Sequence, residues 1–507
     1  MSKPSSKVTQ DQVNAAAWKA CDTFRGAVDP TQYKDYILVM LFLKYISDTH
    51  KAHRAELMAR YGDDTVRLVR ALERERFQLP SGSSFDELHK ARGEADIGER
   101  INKALEAIEE KNRSKLEGVF RNIDFNSETL GRPTERNRRL KALLEDFAKD
   151  ELDLSPGRVD VDVIGECYIY LISQFASDAG KKAGEFYTPK SLAQLLAKLA
   201  AAQKGQTIFD PSCGSGSLLL EVSKEVGSLD FALFGQEVNG ATWALARMNM
   251  FLHGQDSAVI KWCNTLTGPE LVESGRLMQF DRIVANPPFS LDKWGAEDAE
   301  NDRFNRFRRG VPPKGNADYA FVSHIVESLK PGAGKAAVII PHGVLFRGGA
   351  EGRIRQKLLE ENVIDTVIGM PAGMFSSVGI PVAIIIIDRS REPGGANAKR
   401  KDVLFIDASR DYLENKKQVT LSDAQEKKIV ETYVSRKTIG KYSHAATFEE
   451  IKENDFNLNI PRYVDTFEAE AVVDIAKVQQ EILDLEKKQA ELRVKMNQYL
   501  KELGLLG

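Results

Sequence analysis

The chain is predicted to be α/β, with a parallel-sheet domain lying between an all-helical N-terminal part and a C-terminal helix of coiled-coil type. Three observations carry this. Up to about Pro156 apolar residues recur at helical spacing and strand signals are nearly absent. From Val163 onward short apolar runs alternate with helical stretches, the pattern of β and α units in a parallel sheet buried on both faces. In the tail Ile475, Val478, Ile482, Leu485, Leu492, Met496, Tyr499 and Leu503 alternate by three and four, with Gln489 as the polar member of the seam. A chain of 507 residues exceeds one ordinary core, and the boundaries expected are 1–156, 157–440 and 441–507.

The N-terminal helices are read from Trp18, Cys21 and Phe24, and then from Ile37, Met40, Leu41 and Tyr45. The strongest apolar stretch, Tyr36 to Leu43, is far too short to span a bilayer and reads as a buried helix. Strand candidates are Thr207–Phe209, Phe231–Gly235, Arg282–Ala285, Ala336–Ile340, Val363–Ile368, Val382–Ile387 and Asp402–Ile406, with a polar loop near 393–401. A single amphipathic helix packed on its own domain is the other reading of the tail.

With 42% hydrophobic and 29% charged residues the composition is that of a soluble globular protein, and a net charge of −3 argues against a nucleic-acid binder that uses its whole surface. A local basic groove, or one supplied by a partner, stays open. Cys21, Cys167, Cys213 and Cys263 form no CxxC pair and the seven histidines show no ligand spacing, so neither a disulfide framework nor a metal site is expected. The start MSKPSSKVTQ lacks a signal-peptide core, and a reducing cytoplasm is the compartment expected.

The most specific chemistry follows the run ending at Ala285. Asn286 carries an amide that can accept from an exocyclic amino group, and Pro287 and Pro288 remove two competing backbone donors while stiffening the turn. The Pro287 carbonyl can take the second amino hydrogen, and Phe289 offers a face for an extruded base. A plain proline turn after a core strand is the other reading. Upstream, Asp210-Pro211-Ser212-Cys213-Gly214-Ser215-Gly216-Ser217 follows a predicted strand and opens a helix, so its backbone can approach a ligand closely. No third glycine follows Gly216, which weakens a pyrophosphate-binding reading. Glu237 ends the next strand about twenty residues on, where a ribose diol would lie. Asn264, after a third strand, stands where an adenine ring is expected, with turn formation as its alternative use. Before the loop, Glu185-Phe186-Tyr187-Thr188-Pro189-Lys190 leads into a helix, with Thr188 placed as N-cap and Pro189 in the first turn. Between Asp302 and Lys314, Arg303, Arg306, Arg308 and Arg309 mix with Phe304 and Phe307 as nucleic-acid contacts do, though a solvated loop has the same composition.

Taken together, these segments resemble the methylation subunit of type I restriction-modification systems, a DNA adenine-N6 methyltransferase that uses S-adenosyl-L-methionine. The likeness covers nearly the whole chain and includes Tyr33-Lys34, Leu41 to Asp48, Gly184 to Pro189, Asp210 to Gly216, Asn286 to Phe289, and Gly315-Asn316-Ala317-Asp318-Tyr319-Ala320-Phe321, in that order. The resemblance implies a Rossmann-like S-adenosylmethionine-dependent domain. In it Glu185 to Lys190 and Gly214 to Ser217 would hold the methionine part, Glu237 the ribose, and Asn286 to Phe289 the flipped adenine. Related methylases often carry aspartate where this chain has Asn264. The reaction implied is direct in-line transfer to N6, which needs positioning more than acid–base help, so Cys213 is read as a small loop residue.

The resemblance also implies partners: double-stranded DNA, a separate specificity subunit packed on the terminal helix, a second copy of the chain in an M2S1 complex, and in some assemblies a restriction subunit. No membrane is implied, and the DNA sequence would be read by the specificity subunit. Two rivals are weighed. A glutamine-N5 protein methyltransferase shares the Asn-Pro-Pro-aromatic motif but leaves the helical N-terminus, the arginine-rich loop and the tail unexplained. A non-catalytic cofactor-binding scaffold leaves Asn286, Pro287 and Phe289 without a use.

Overall fold

Thr9 opens the first helix, Gln10–Ala20, through a reciprocal cap in which the Thr9 hydroxyl and the Gln12 amide each accept from the other's backbone N–H. The computed structural model describes residues 7–62, 64–178, 187–375, 381–414, 419–466 and 475–503. In the Pro30–Tyr61 helix the apolar run from Tyr36 to Leu43 is almost wholly buried, which is why this stretch can be so apolar. Among the described residues no helix is long and apolar enough to cross a membrane. Trp18 and Tyr33 both meet Phe175 of the Val161–Asp178 helix, at 5.6 and 5.7 Å between ring centroids, so the helical layer runs on past the boundary expected at 156. Phe42 meets Phe251 of the Gly240–Leu252 helix at 5.3 Å, and one apolar core joins the helical layer to the sheet domain.

Among the described residues eleven strands follow in chain order: β1 (Thr207–Asp210), β2 (Ala232–Glu237), β3 (Val259–Trp262), β4 (Val272–Glu273), β5 (Arg276–Leu277), β6 (Arg282–Ala285), β7 (Lys335–Pro341), β8 (Ile364–Gly369), β9 (Val382–Asp388), β10 (Val403–Asp407) and β11 (Ser443–Ala446). β4 and β5 form a small hairpin, and the rest make one sheet in the order β11-β10-β8-β9-β7-β6-β1-β2-β3. Side chains alternate between two cores, as the pleat requires: Ile384 and Ile386 of β9 enter one, Ala383, Ile385 and Ile387 the other. Helices Lys190–Ala200, Ser217–Val226, Asp318–Ser328 and Gly349–Glu360 follow or precede the strands as crossovers.

The sheet is not purely parallel as the alternation predicts. β9 runs antiparallel to both β7 and β8, and β11 antiparallel to β10. Among the described residues no helix lies between Gly369 and Val382, and β9 returns beside β8 in the opposite direction. β11 carries Ser443 and His444 and has no apolar run to announce it. Its pairing, together with Leu458 and Ile460 in the core and Tyr463 stacked 3.9 Å from Phe405, carries the compact unit to Val464, beyond the boundary expected at 440. Asp465–Gly507 forms a second unit. There the Ile475–Glu502 helix carries its apolar seam on exposed positions, with Ile482 at 51%, Leu485 at 64% and Tyr499 at 64% accessible.

The strand order reverses between β1 and β6, which are neighbours and parallel. In open α/β sheets a crevice opens at that point, outside the carboxyl ends of the strands. Those ends are Asp210 and Ala285, so the glycine loop and Asn286 both emerge at the crevice.

Candidate active site

β1 ends in Asp210, which is buried and accepts from the Ser212 N–H at 2.9 Å, turning the chain into the loop. Gly214 and Gly216 both have positive φ, +54° and +78°, a region that costs L-residues energy. A Cβ on Gly216 would also stand 2.6 Å from the Met250 methyl carbon, so the loop cannot carry a larger residue there without displacing its neighbour. Gly216 precedes the Ser217–Val226 helix, whose first N–H groups face the loop.

Glu237, at the end of β2, ties this loop down. One carboxylate oxygen accepts from the Gly214 N–H at 3.0 Å, the other from the Asn239 N–H at 2.7 Å. Burial pushes the Asp210 carboxyl up to about 8, and the nearby Glu237 charge adds to the shift. The same burial holds the Cys213 thiol far above its usual range, so Cys213 is a packing residue and no thiolate nucleophile.

Across the crevice, the Asn286 Nδ2 donates to the Thr188 hydroxyl at 3.1 Å. This fixes the amide orientation and leaves the Asn286 Oδ1 buried with no hydrogen-bond partner. Thr188 is therefore not the helix cap expected of it: the helix starts at Lys190 with Pro189 as its cap residue, and the Thr188 hydroxyl serves Asn286. Phe289 packs edge to face against Phe375 at 5.7 Å. The next residue, Ser290, donates its N–H to Asp318 at 2.9 Å, and Arg347 holds the other Asp318 oxygen at 3.0 Å. The Asp318 segment singled out by resemblance is thus a brace for the turn that carries Asn286.

A cavity of about 580 Å³ opens here, lined by Ser212, Glu237, Asn264, Asn286 and Pro288 among others. Its residues fit S-adenosylmethionine on three counts. The loop offers a close backbone approach at positive-φ glycines. The Ser215 hydroxyl in the loop is buried without a partner. The Glu237 carboxylate in the cavity wall suits a ligand with hydroxyl and cationic groups.

The other expected site residues have varied surroundings. Glu185 and Phe186 lie outside the described residues. Tyr187 packs against the apolar core, where burial raises its hydroxyl to about 12. Lys190 pairs with Glu166 at 3.1 Å on the surface. Asn264 spends its Oδ1 on a turn, accepting from the Leu266 and Thr267 N–H groups. Two of the four loop arginines, Arg306 and Arg309, are buried struts, while Arg308 is exposed. Arg306 is 3% accessible, paired with Asp302 and bonded to the Thr265 and Leu266 carbonyls. Arg309, 1% accessible, bridges Glu327 and Glu361, and Arg308 joins the same two carboxylates. Arg303 is exposed, lying 4.4 Å over the Phe304 ring. Lys34 and Asp35, from the N-terminal helix, also line the cavity, and no motif announced them as wall residues.

Residues 159–471 match the family described as N-6 DNA Methylase, and residues 13–147 match the HsdM N-terminal domain. The methylase subunit of the type I restriction enzyme MpnII from Mycoplasma pneumoniae is 30% identical over 97% of this chain and 96% of its own. The HindI methylase subunit from Haemophilus influenzae is 32% identical over 85% and 95%. The solved methyltransferase subunit of a type I restriction-modification system from Streptococcus thermophilus superposes with a TM-score of 0.80 at 37% identity, covering 90% of this chain and all of that one.

Proposed function

We propose that the chain, which belongs to the N-6 DNA methylase family and is an S-adenosylmethionine-dependent DNA adenine-N6 methyltransferase, holds its target base with Asn286 as principal acceptor. The observation that carries this is the buried, partnerless Asn286 Oδ1, with its amide locked by Thr188. An unsatisfied buried acceptor costs about 1–3 kcal/mol, and an incoming amino hydrogen removes that cost. Asn286 Oδ1 accepts one N6 hydrogen and the Pro287 carbonyl the other, which localises the nitrogen lone pair for attack. Asp318 and Arg347 keep the turn in register, and Phe289 offers its face to the extruded base.

S-adenosylmethionine, when bound, supplies an activated methyl group on its sulfonium. Glu237 would hold its ribose, while Asp210, Gly214, Ser215, Gly216 and Ser217, with Thr188 and Pro189, would surround its methionine end. The surplus proton leaves N6 to solvent after transfer, and the residues' work is alignment. The two rival readings lose their support, since the relatives matched along nearly the whole chain are methylase subunits of type I restriction enzymes.

The partners are double-stranded DNA and a specificity subunit that selects the site, with two copies of this chain for each specificity subunit and, in some assemblies, a restriction subunit. The exposed apolar seam of the Ile475–Glu502 helix supports docking on helices of the specificity subunit. Incubation with labelled S-adenosylmethionine and duplex DNA, with and without the specificity subunit encoded beside it, tests the reading. Label recovered as N6-methyladenine, dependent on that subunit, is the expected result; label on protein glutamine or no transfer contradicts it.

A further inference from the structure

Asp35 belongs to the helical N-terminal part, yet its carboxylate stands in the wall of the catalytic cavity beside the residues at the ends of β2 and β3. Those residues, Glu237, Val238, Asn239, Cys263, Asn264 and Leu266, bound the adenosine end of the cofactor site under the reading given above, on which this inference rests.

An adenine edge presents an amino donor beside a ring-nitrogen acceptor. A wall that reads it needs one free acceptor and one free donor. Most acceptors at this end are already engaged. Asn264 Oδ1 accepts from the Leu266 and Thr267 N–H groups, and Asn239 Oδ1 accepts from the Thr242 N–H as a helix cap. The Thr265 hydroxyl donates to the Pro211 carbonyl and accepts from Gln236. Glu237 holds the Gly214 and Asn239 N–H groups. Asp35 differs in that its neighbour is Lys34, with the ammonium 2.5 Å from one carboxylate oxygen. Burial raises its carboxyl above the usual range while the Lys34 ammonium draws it back, and the side chain stays partly open at the cavity wall.

We propose that Asp35 accepts the exocyclic amino hydrogen of the cofactor's adenine, replacing the acceptor that Asn264 has spent on its turn, while the Asn264 Nδ2 supplies the complementary donor. The N-terminal helix thereby becomes part of the cofactor site, and Asp35 a binding residue.

The test uses the full chain and calorimetric titration with S-adenosylhomocysteine and with its purine-riboside analogue, which lacks the 6-amino group. The parent protein should bind the analogue about ten- to a hundredfold more weakly, the usual loss for a hydrogen bond to a charged group. Asp35→Ala should lose affinity for S-adenosylhomocysteine by a similar factor and no longer distinguish the two ligands. Asp35→Asn keeps the shape and one oxygen acceptor, so it guards against loss of folding, and its discrimination should shrink without vanishing. Full discrimination retained in both variants, or none in the parent, overturns the assignment. Glu237→Ala separates the two levels: if it leaves S-adenosylhomocysteine affinity unchanged, the cavity is not the cofactor site and the proposal falls with that reading.

Discussion

At Asn286 a cost and a function coincide. Its Nδ2 is paired with Thr188 and its Oδ1 is buried without a partner, so the folded chain keeps an acceptor ready in one orientation. Thr188→Val removes the acceptor for Nδ2 and frees the amide to rotate. The expected result in steady-state kinetics is a kcat lower by about tenfold with the KM for S-adenosylmethionine little changed, the size of one lost hydrogen bond. An unchanged kcat would show that Thr188 does not orient the amide. Asp210 yields a prediction about stability. Its folded-state pKa, about 8, lies above the ordinary 3.8, so the folded state keeps a proton that the unfolded chain releases. The stability contributed by that proton is complete below 3.8 and fades as pH rises to about 8. Asp210→Asn never ionises, and its Tm advantage over the parent should grow across that window in scanning calorimetry; a constant difference contradicts the shift. Asn286, Glu237 and the glycines were legible because short segments with a chemical logic announce them. The role of Thr188 was not, since its partner stands 98 positions away in the chain.

Among elements, the same limit decides what could be read ahead. The β-branched runs of β1, β7 and β9 mark buried strands by composition alone, and each is a strand in the sheet. The direction of β9 and the existence of β11 depend on which strands they pair with, and pairing leaves no periodic trace. The 302–314 loop shows the same limit. Its arginines resemble a nucleic-acid surface, but Glu327 and Glu361, which neutralise Arg308 and Arg309, lie on other elements. Arg309→Ala should therefore destabilise the fold by about 1–3 kcal/mol, because it removes the buried partner of two carboxylates that keep only Arg308, as chemical denaturation would report. Arg303→Ala should spare stability, and as a phosphate contact it should lower the salt slope of DNA binding by about one. Arg309→Ala with parental stability would restore the loop to the reading as a DNA-facing surface.

On the scale of the whole molecule, one unit carries the catalytic cavity and the other carries the helix proposed above for assembly. The unit ending at Val464 contains the sheet, both cores and the cavity, while the Ile475–Glu502 helix exposes an apolar seam along its length. Deleting 474–507 should leave S-adenosylhomocysteine binding and the thermal transition of the first unit intact while abolishing co-purification with the specificity subunit; retained assembly would argue against the seam as its docking surface. The central claim, however, concerns Asn286 and can be tested in the assembled enzyme. Single-turnover transfer from labelled S-adenosylmethionine to duplex DNA should fall by about 10²-fold or more in Asn286→Ala, the usual loss when a group that stabilises the transition state is removed, with the cofactor Kd unchanged. Transfer within a few fold of the parent rate would contradict the account.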